Sequence, residues 1–317
     1  MSRRYGTAAR AAITAGAAAA MARAGYAGLR RWPPGGAARW TRTNHRGEPV
    51  ILLEGPAVAL GAATASAFAP GLPPRGRAAL VAAGAGAAAF GAFDDLAGSG
   101  GRSGFRGHLA ALASGEVTTG VVKIAGIGAA GAAAAVLAAG PLADVLINAG
   151  LTAGSANLIN LFDLRPGRAI KVALAAGTLV AGAGGPGAAE AVAGPAGAAL
   201  AMLGDDLGER AMLGDLGANA LGAMLGAAAA ITLSRPARIA LLAGIVGLTA
   251  ASEMVSFTAV IERTPALRRL DLLGRRPAST PAASDPAVGG TAASARGSTP
   301  ETREVQGAGP TPGAVAP

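Results

Sequence analysis

Long uncharged segments recur along the 317-residue chain, and they restrict its fold more than any other feature. Runs of roughly 16 to 22 residues without a charge approach the ~20 residues that a helix needs to cross a bilayer. Only helices and closed barrels satisfy their backbone hydrogen bonds in lipid, and no alternation of period two indicates a barrel. The sequence therefore predicts an all-α, multi-pass transmembrane helical bundle.

The charged content supports this prediction, because only 14% of the residues are charged, compared with about 25% in a typical soluble protein. We expect about nine or ten spans. The candidate segments are residues 7–28, 50–70, 78–93, 118–139, 142–158, 169–184, 187–203, 217–233 and 238–256. Three regions follow: an N-terminal span with its loop (1–49), a transmembrane bundle of catalytic type (50–276) and a disordered cytoplasmic tail rich in Pro, Thr, Ser, Ala and Gly (277–317).

Arginines alternate between the two sides of the predicted bundle. The connections after the first, third, fifth, seventh and ninth segments carry most of them, whereas the opposite connections carry only Arg75, Arg77, Arg235 and Arg238. The positive-inside rule places the arginine-rich side in the cytoplasm, so we expect a multi-pass protein of the inner (plasma) membrane. The arginines near the N-terminus then fall outside. Either the first segment is not a full span, or residues 1–22 form a signal peptide, or the other loops determine the topology.

The formal charge of +9 accompanies a bias toward Ala, Gly, Arg and Pro, so we do not expect nucleic acid as a partner. Cysteine is absent, which excludes disulfides and thiolate metal sites. Small-residue pairs such as Gly222-x-x-x-Gly226 would allow helices to approach closely in lipid. The same compositional bias explains these pairs equally well.

Four short polar motifs lie at the ends of apolar segments, and the topology assigns all four to the cytoplasmic face. Carboxylates are costly near hydrocarbon, so acids at membrane helix ends indicate a functional site. The motifs are Phe93-Asp94-Asp95, Gly104-Phe-Arg106-Gly-His108, Asn157-Leu-Ile-Asn160-Leu-Phe-Asp163 and Leu213-Gly-Asp215-Leu-Gly-Ala-Asn219.

Carboxylates from separate motifs on one face suit Mg²⁺, which binds one or two carboxylates together with substrate phosphates and water. Four basic residues near the motifs could hold anionic oxygens: Arg106, His108, Lys123 and Arg168. Simpler roles stay open. The aspartate pair could be a solvated helix end, His108 could cap a helix, and Lys123 could pair with Glu116. We expect Glu116 and Glu209 to be exposed loop residues.

The three carboxylate motifs, in this order and spacing, resemble the signature of polyprenyl-phosphate N-acetylhexosamine-1-phosphate transferases, over about residues 40 to 276. The resemblance implies Mg²⁺-dependent transfer of a sugar-1-phosphate from a UDP-sugar to a membrane polyprenyl phosphate, with release of UMP, in cell-envelope glycan synthesis. These substrates and the lipid bilayer would be the partners, and a homodimer stays open.

The resemblance also implies roles for individual residues. Asp94 would be the base, Asp95 a partner of metal or lysine, and Asp163 an active-site acid. Asp215 would be the principal metal ligand, together with Asp94. The remaining substrate-binding candidates are Asn157 and Asn160, which would shape the nucleotide pocket, and Asn219, Arg106, His108 and Lys123. Arg106 and Lys123 would each contact the phosphate oxygens of one substrate.

Two features depart from the family pattern. The second motif continues as Asp163-Leu-Arg-Pro-Gly167 instead of Asp-Gly-x-x-Gly-Leu, and the family's His-rich loop is missing. That loop helps to bind the sugar nucleotide, so a divergent branch with another sugar fits better than a muramoyl-pentapeptide substrate. Two other classes remain: a non-catalytic lipid-carrier-binding or scaffold protein that keeps the fold, and a transporter, which would need acids in the middle of its spans.

Overall fold

The computed structural model describes residues 2–97, 107, 113–115 and 117–277. Arg106, His108, Glu116 and the predicted tail from residue 278 onward lie outside the described residues. Residues 1–277 form one compact unit, and within its described part the fold is all-α with almost no strand.

Within the described residues, nine long helices follow the nine predicted segments. They are α1 (Ser2–Arg31), α2 (Glu54–Ala67), α3 (Pro74–Ala97), α4 (Thr119–Ala138), α5 (Leu142–Phe162), α6 (Arg168–Ala183), α7 (Ala188–Leu207), α8 (Gly214–Thr232) and α9 (Arg235–Ser252). Two short helices come next, α10 (Phe257–Arg263) and α11 (Pro265–Leu272). Between α1 and α2 lie a 3₁₀ turn (Ala37–Trp40) and an antiparallel hairpin of β1 (Thr41–Thr43) and β2 (Pro49–Ile51).

Fewer helices than expected are suited to cross a membrane. In the described residues, α3, α4, α5 and α8 are long and apolar enough, and a fifth span results if α9 and α10 count as one bent span. The 14 residues of α2 rise only about 21 Å, against a hydrocarbon core of about 30 Å. The expected nine or ten spans are therefore not confirmed, although the apolar helices indicate a membrane protein.

Helix α8 lies at the centre of the bundle and contacts α2 to α7. Most of its residues are buried, and glycines allow its backbone to touch its neighbours. A Cβ at Gly222 would overlap the Ser155 carbonyl oxygen of α5, and one at Gly226 would overlap that of Leu151. The Gly222-x-x-x-Gly226 pair therefore forms a close helix crossing, as expected of small residues in lipid.

Similar close approaches fix the first turn of α8. Gly55 of α2 lies against the Leu213 carbonyl oxygen and Gly217, and Gly91 of α3 lies against the backbone of Asp215. These glycines leave room for three backbones to meet at one point. They hold the start of α8, with Asp215, at the end of the bundle that carries the hairpin.

Candidate functional site

The acidic ends of several helices meet around the start of α8. Asp94 and Asp95 come from the end of α3, Asp163 follows α5, and Asp215 lies in the first turn of α8. The structure thus brings together the three carboxylate motifs that the sequence singled out. It does not show on which side of a membrane they lie.

Lys123, in the first turns of α4, joins two of these motifs. Its Nζ lies 2.6 Å from Oδ2 of Asp94 and 2.5 Å from Oδ2 of Asp215. The two carboxylates are also within hydrogen-bonding reach of each other. The three side chains are largely buried, with exposed fractions of 17% for Lys123, 17% for Asp94 and 26% for Asp215. An ammonium therefore compensates the negative charge at the centre of the site.

Asp95 has a different partner from the metal or lysine that the resemblance implies. Its Oδ1 accepts a hydrogen bond from the backbone N–H of Asp215 at 3.1 Å, and its Oδ2 accepts one from Leu216 at 2.9 Å. These are N–H groups that a helix start leaves without an internal partner, and a carboxylate there also interacts favourably with the helix dipole. Asp95 thus caps α8 from a neighbouring helix, while Asp94 pairs with Lys123.

The turn that leads into α8 depends on glycine. Gly214 has a φ of +62°, in the left-handed region that suits a residue without a Cβ. The Asp95 carboxylate then holds the amides of the two residues that follow, Asp215 and Leu216.

Asp163 lies just beyond the end of α5, next to a cavity of 190 Å³. Burial raises the pKa of Asp163 well above its usual range, and the charges of Asp206, Asp215 and Asp95 raise it further. The cavity is bordered by the hairpin loop with Asn44 and His45, and by Asp206 of α7. A carboxyl group with a raised pKa beside a cavity is a candidate for proton transfer.

The side chains of Asn157 and Asn219 have different surroundings. Asn157 is exposed, and its Nδ2 lies 3.5 Å from Thr249 Oγ1 on α9. The carbonyl of Asn160 accepts the backbone N–H of Asp163. Asn219 is only 1% exposed, and its Nδ2 donates to the Asp215 carbonyl oxygen at 2.6 Å. This burial makes Asn219 a support for the start of α8, because a substrate could not reach its side chain.

Two further expectations change in the structure. Glu209, expected to be exposed, is 5% exposed and binds Arg46 at 2.9 Å and Asn44 at 2.9 Å, because the hairpin folds over it. Arg168, expected to hold anionic oxygens, is buried in a two-pronged ion pair with Asp271 of α11, at 2.7 and 3.1 Å. Arg168 is thus already neutralised inside the protein.

The sequence analysis missed two buried acids near the site, Glu54 and Asp206. Glu54 opens α2 at the same end of the bundle as the aspartates, and neither carboxylate oxygen has a hydrogen-bond partner. Asp206 ends α7 and is 2% exposed, with Oδ2 unpartnered. The preference for acids in the first turn of a helix was the available signal for Glu54.

Among the described residues, no group of three or more His, Cys, Asp or Glu side chains could hold a metal ion. A Mg²⁺ site does not require three, since substrate phosphates and water complete its coordination. Asp94 and Asp215 fit such a site by their chemistry, because two carboxylates in contact already gather around one cation, the Lys123 ammonium. A metal would share these oxygens with Lys123 or replace it.

Comparison with protein-family models finds no match, and a search of curated proteins finds no similar sequence. The proposed resemblance to the sugar-phosphate transferases therefore rests on the motifs alone.

Proposed function

We propose that this chain is a phosphoglycosyl transferase of the inner (plasma) membrane, with its acidic end facing the cytoplasm. It would transfer a sugar-1-phosphate from a UDP-sugar to a membrane polyprenyl phosphate and release UMP. The orientation follows from the arginine-rich connections on that side. We also propose nine or ten spans, with the short helices α2 and α6 embedded among longer ones.

One observation carries the proposal: carboxylates from three separate motifs meet at one helix start, and Lys123 joins two of them. Phosphoryl transfer needs positioning and neutralisation of charge more than it needs covalent catalysis. Carboxylates outnumber the one ammonium at this site, so a divalent cation such as Mg²⁺ would be needed for two negatively charged phosphorylated substrates to bind there.

In the proposed reaction, an oxygen of the polyprenyl phosphate forms a bond to the sugar-linked phosphorus of the UDP-sugar. The bond from that phosphorus to the bridging oxygen breaks, and UMP leaves with the electron pair. Asp94 would accept the proton of the lipid phosphate, and Lys123 would neutralise phosphate oxygens. When bound by Asp215 and Asp94, Mg²⁺ would supply charge neutralisation on the diphosphate.

A second candidate is a non-catalytic protein that binds a lipid carrier or acts as a scaffold. The internal neutralisation of the site favours it, because both oxygens of Asp95 are taken by backbone amides and the Asp94–Asp215 pair is taken by Lys123. Such compensation would stabilise the fold without any substrate.

UMP release separates the two candidates. The purified protein in polyprenyl-phosphate-containing membranes should release UMP from at least one member of a panel of UDP-sugars, and EDTA should abolish the release. Asp215→Asn should lower the rate about a hundredfold or more. Asp144→Asn is the matched control, because Asp144 also opens a helix but binds Arg235 and Arg238 elsewhere, at the start of α5. Full activity of Asp215→Asn or in EDTA would refute the assignment.

A further inference from the structure

The chain after α9 leaves the direction of the bundle. Helix α9 runs along α5, with Arg238 bonded to Asn148 near one end and Thr249 near Asn157 toward the other. Between α9 and α10 the chain bends by 93°. Because α5 is a candidate membrane span, this bend turns α10 into the plane of the membrane surface. Phe257, the first residue of α10, stacks on Phe162 at the end of α5, with ring centroids 5.2 Å apart.

Helix α11 carries an exposed apolar stripe. Ala266 and Leu267 lie four and three residues before Leu270, and Leu273 extends the stripe just beyond the helix. All four are exposed, and the exposed fractions of the leucines are 43%, 62% and 68%. A stripe of this kind has no partner within the described part of the protein, and it needs an apolar neighbour.

Arginines border the stripe. Arg269 lies beside the stripe, Arg268 lies on the opposite side of α11, and Arg263 ends α10; all three are exposed. Within the described residues, none of the three has a carboxylate at ion-pair distance. Exposed leucines with free arginines beside them have the composition of a helix that lies at a membrane surface and prefers anionic lipid.

The face of α11 that carries Asp271 packs against the protein and fixes the orientation of the helix. Asp271 forms the buried ion pair with Arg168, and Lys171 Nζ donates to the carbonyl oxygens of Leu270, Asp271 and Leu273 at 3.0, 2.8 and 2.7 Å. These contacts use the polar edge of the helix and leave the leucines outward. The stripe is therefore held in place at the surface of the protein and is not a frayed terminus.

We propose that α10 and α11, the surface helix pair, lie in the headgroup layer of an anionic bilayer. The leucines would enter the boundary of the acyl chains, and Arg263 and Arg269 would contact lipid phosphates. This inference does not depend on the proposed transferase activity, because it concerns a surface apart from the carboxylates.

The absence of cysteine makes the test direct, since one introduced thiol can carry one environment-sensitive fluorophore. Leu270→Cys places the label on the apolar stripe, and Arg268→Cys places it on the opposite side of the same helix as the matched control. Both residues are exposed, so neither change disturbs the core. The labelled full chain is placed in nanodiscs of phosphatidylcholine with phosphatidylglycerol, and quenching by doxyl-labelled lipid and by aqueous iodide is measured.

The label at position 270 should be quenched by doxyl lipid and protected from iodide, and the label at position 268 should show the reverse. Equal quenching of both labels by iodide would overturn the proposal. With the label at position 270, doxyl-phosphatidylglycerol should quench more than doxyl-phosphatidylcholine, because arginines near the surface attract anionic lipid. Arg263→Gln with Arg269→Gln should remove that preference. If the two doxyl lipids quench the label equally when all the arginines are present, the proposed preference for anionic lipid is refuted.

Discussion

Replacement of Lys123 by Met should destabilise the fold, because no other cation among the described residues pairs with both Asp94 and Asp215. The ammonium lies 2.6 Å from Asp94 and 2.5 Å from Asp215, in a largely buried site. Loss of one member of a buried ion pair costs about 3–5 kcal/mol. Since each of the three side chains keeps some exposure to solvent, we expect the lower end, about 3 kcal/mol.

The assay is thermal unfolding followed by circular dichroism in detergent micelles. A loss of about 3 kcal/mol corresponds to a fall in Tm of about 6–12 °C for a chain of this size. A second change, Asp94→Asn, should restore more than half of the loss, because it removes the repulsion between Asp94 and Asp215.

Lys171→Met is the matched control, since Lys171 is the only other lysine in the chain. It donates to three backbone carbonyls and not to a carboxylate, so its removal should cost less, and Asp94→Asn should not rescue it. The reasoning fails if Lys123→Met leaves Tm unchanged, or if Asp94→Asn makes the variant less stable still.

The remaining predictions concern other parts of the fold. Asp95→Ala should lower the unfolding free energy by about 2–3 kcal/mol, measured by urea unfolding, since it removes two charge-assisted bonds to the start of α8. Burial would raise the pKa of Asp271, but the hydrogen bond and charge of Arg168 lower it overall. The ionised Asp271 therefore stabilises the folded state fully above about pH 4, and this contribution is lost as the pH falls through the lowered pKa. The stability gap between wild type and Asp271→Asn should thus close in acid. Gly222→Ala should lower Tm by overpacking, whereas Gly128→Ala, with no atom within 4 Å of its Cβ, should raise it slightly.

The sequence predicted the helices well because charged and small polar residues interrupt the apolar runs at their ends. The number of spans could not be predicted in the same way. Alanine and glycine reduce hydropathy without preventing helix formation, so several predicted spans are helices that fail the length or apolarity of a crossing helix. The segment 50–70 also contained Pro49–Ile51 at its edge, which pairs as a strand, and the helix begins only at Glu54.

The convergence of the aspartates was predictable from the alternation of the connections, but their partners were not. Which carboxylate meets Lys123 depends on how α3, α4 and α8 cross, and those crossings depend on glycines whose neighbours lie far away in sequence. The capping of α8 by Asp95 depends on the same helix crossings. Glu209 was expected to be exposed because no local pattern shows that the hairpin folds over it.

The most direct test of the central account follows the phosphorus from substrate to lipid. A UDP-sugar panel labelled with ³²P in the sugar-linked phosphate is incubated with polyprenyl phosphate, Mg²⁺ and the membrane-reconstituted protein, and the lipid phase is extracted and counted. The account predicts labelled lipid-diphosphate sugar in amounts equal to the UMP released, and none with Asp215→Asn. Binding of polyprenyl phosphate without transfer of label from any UDP-sugar would contradict it and favour a non-catalytic carrier-binding protein.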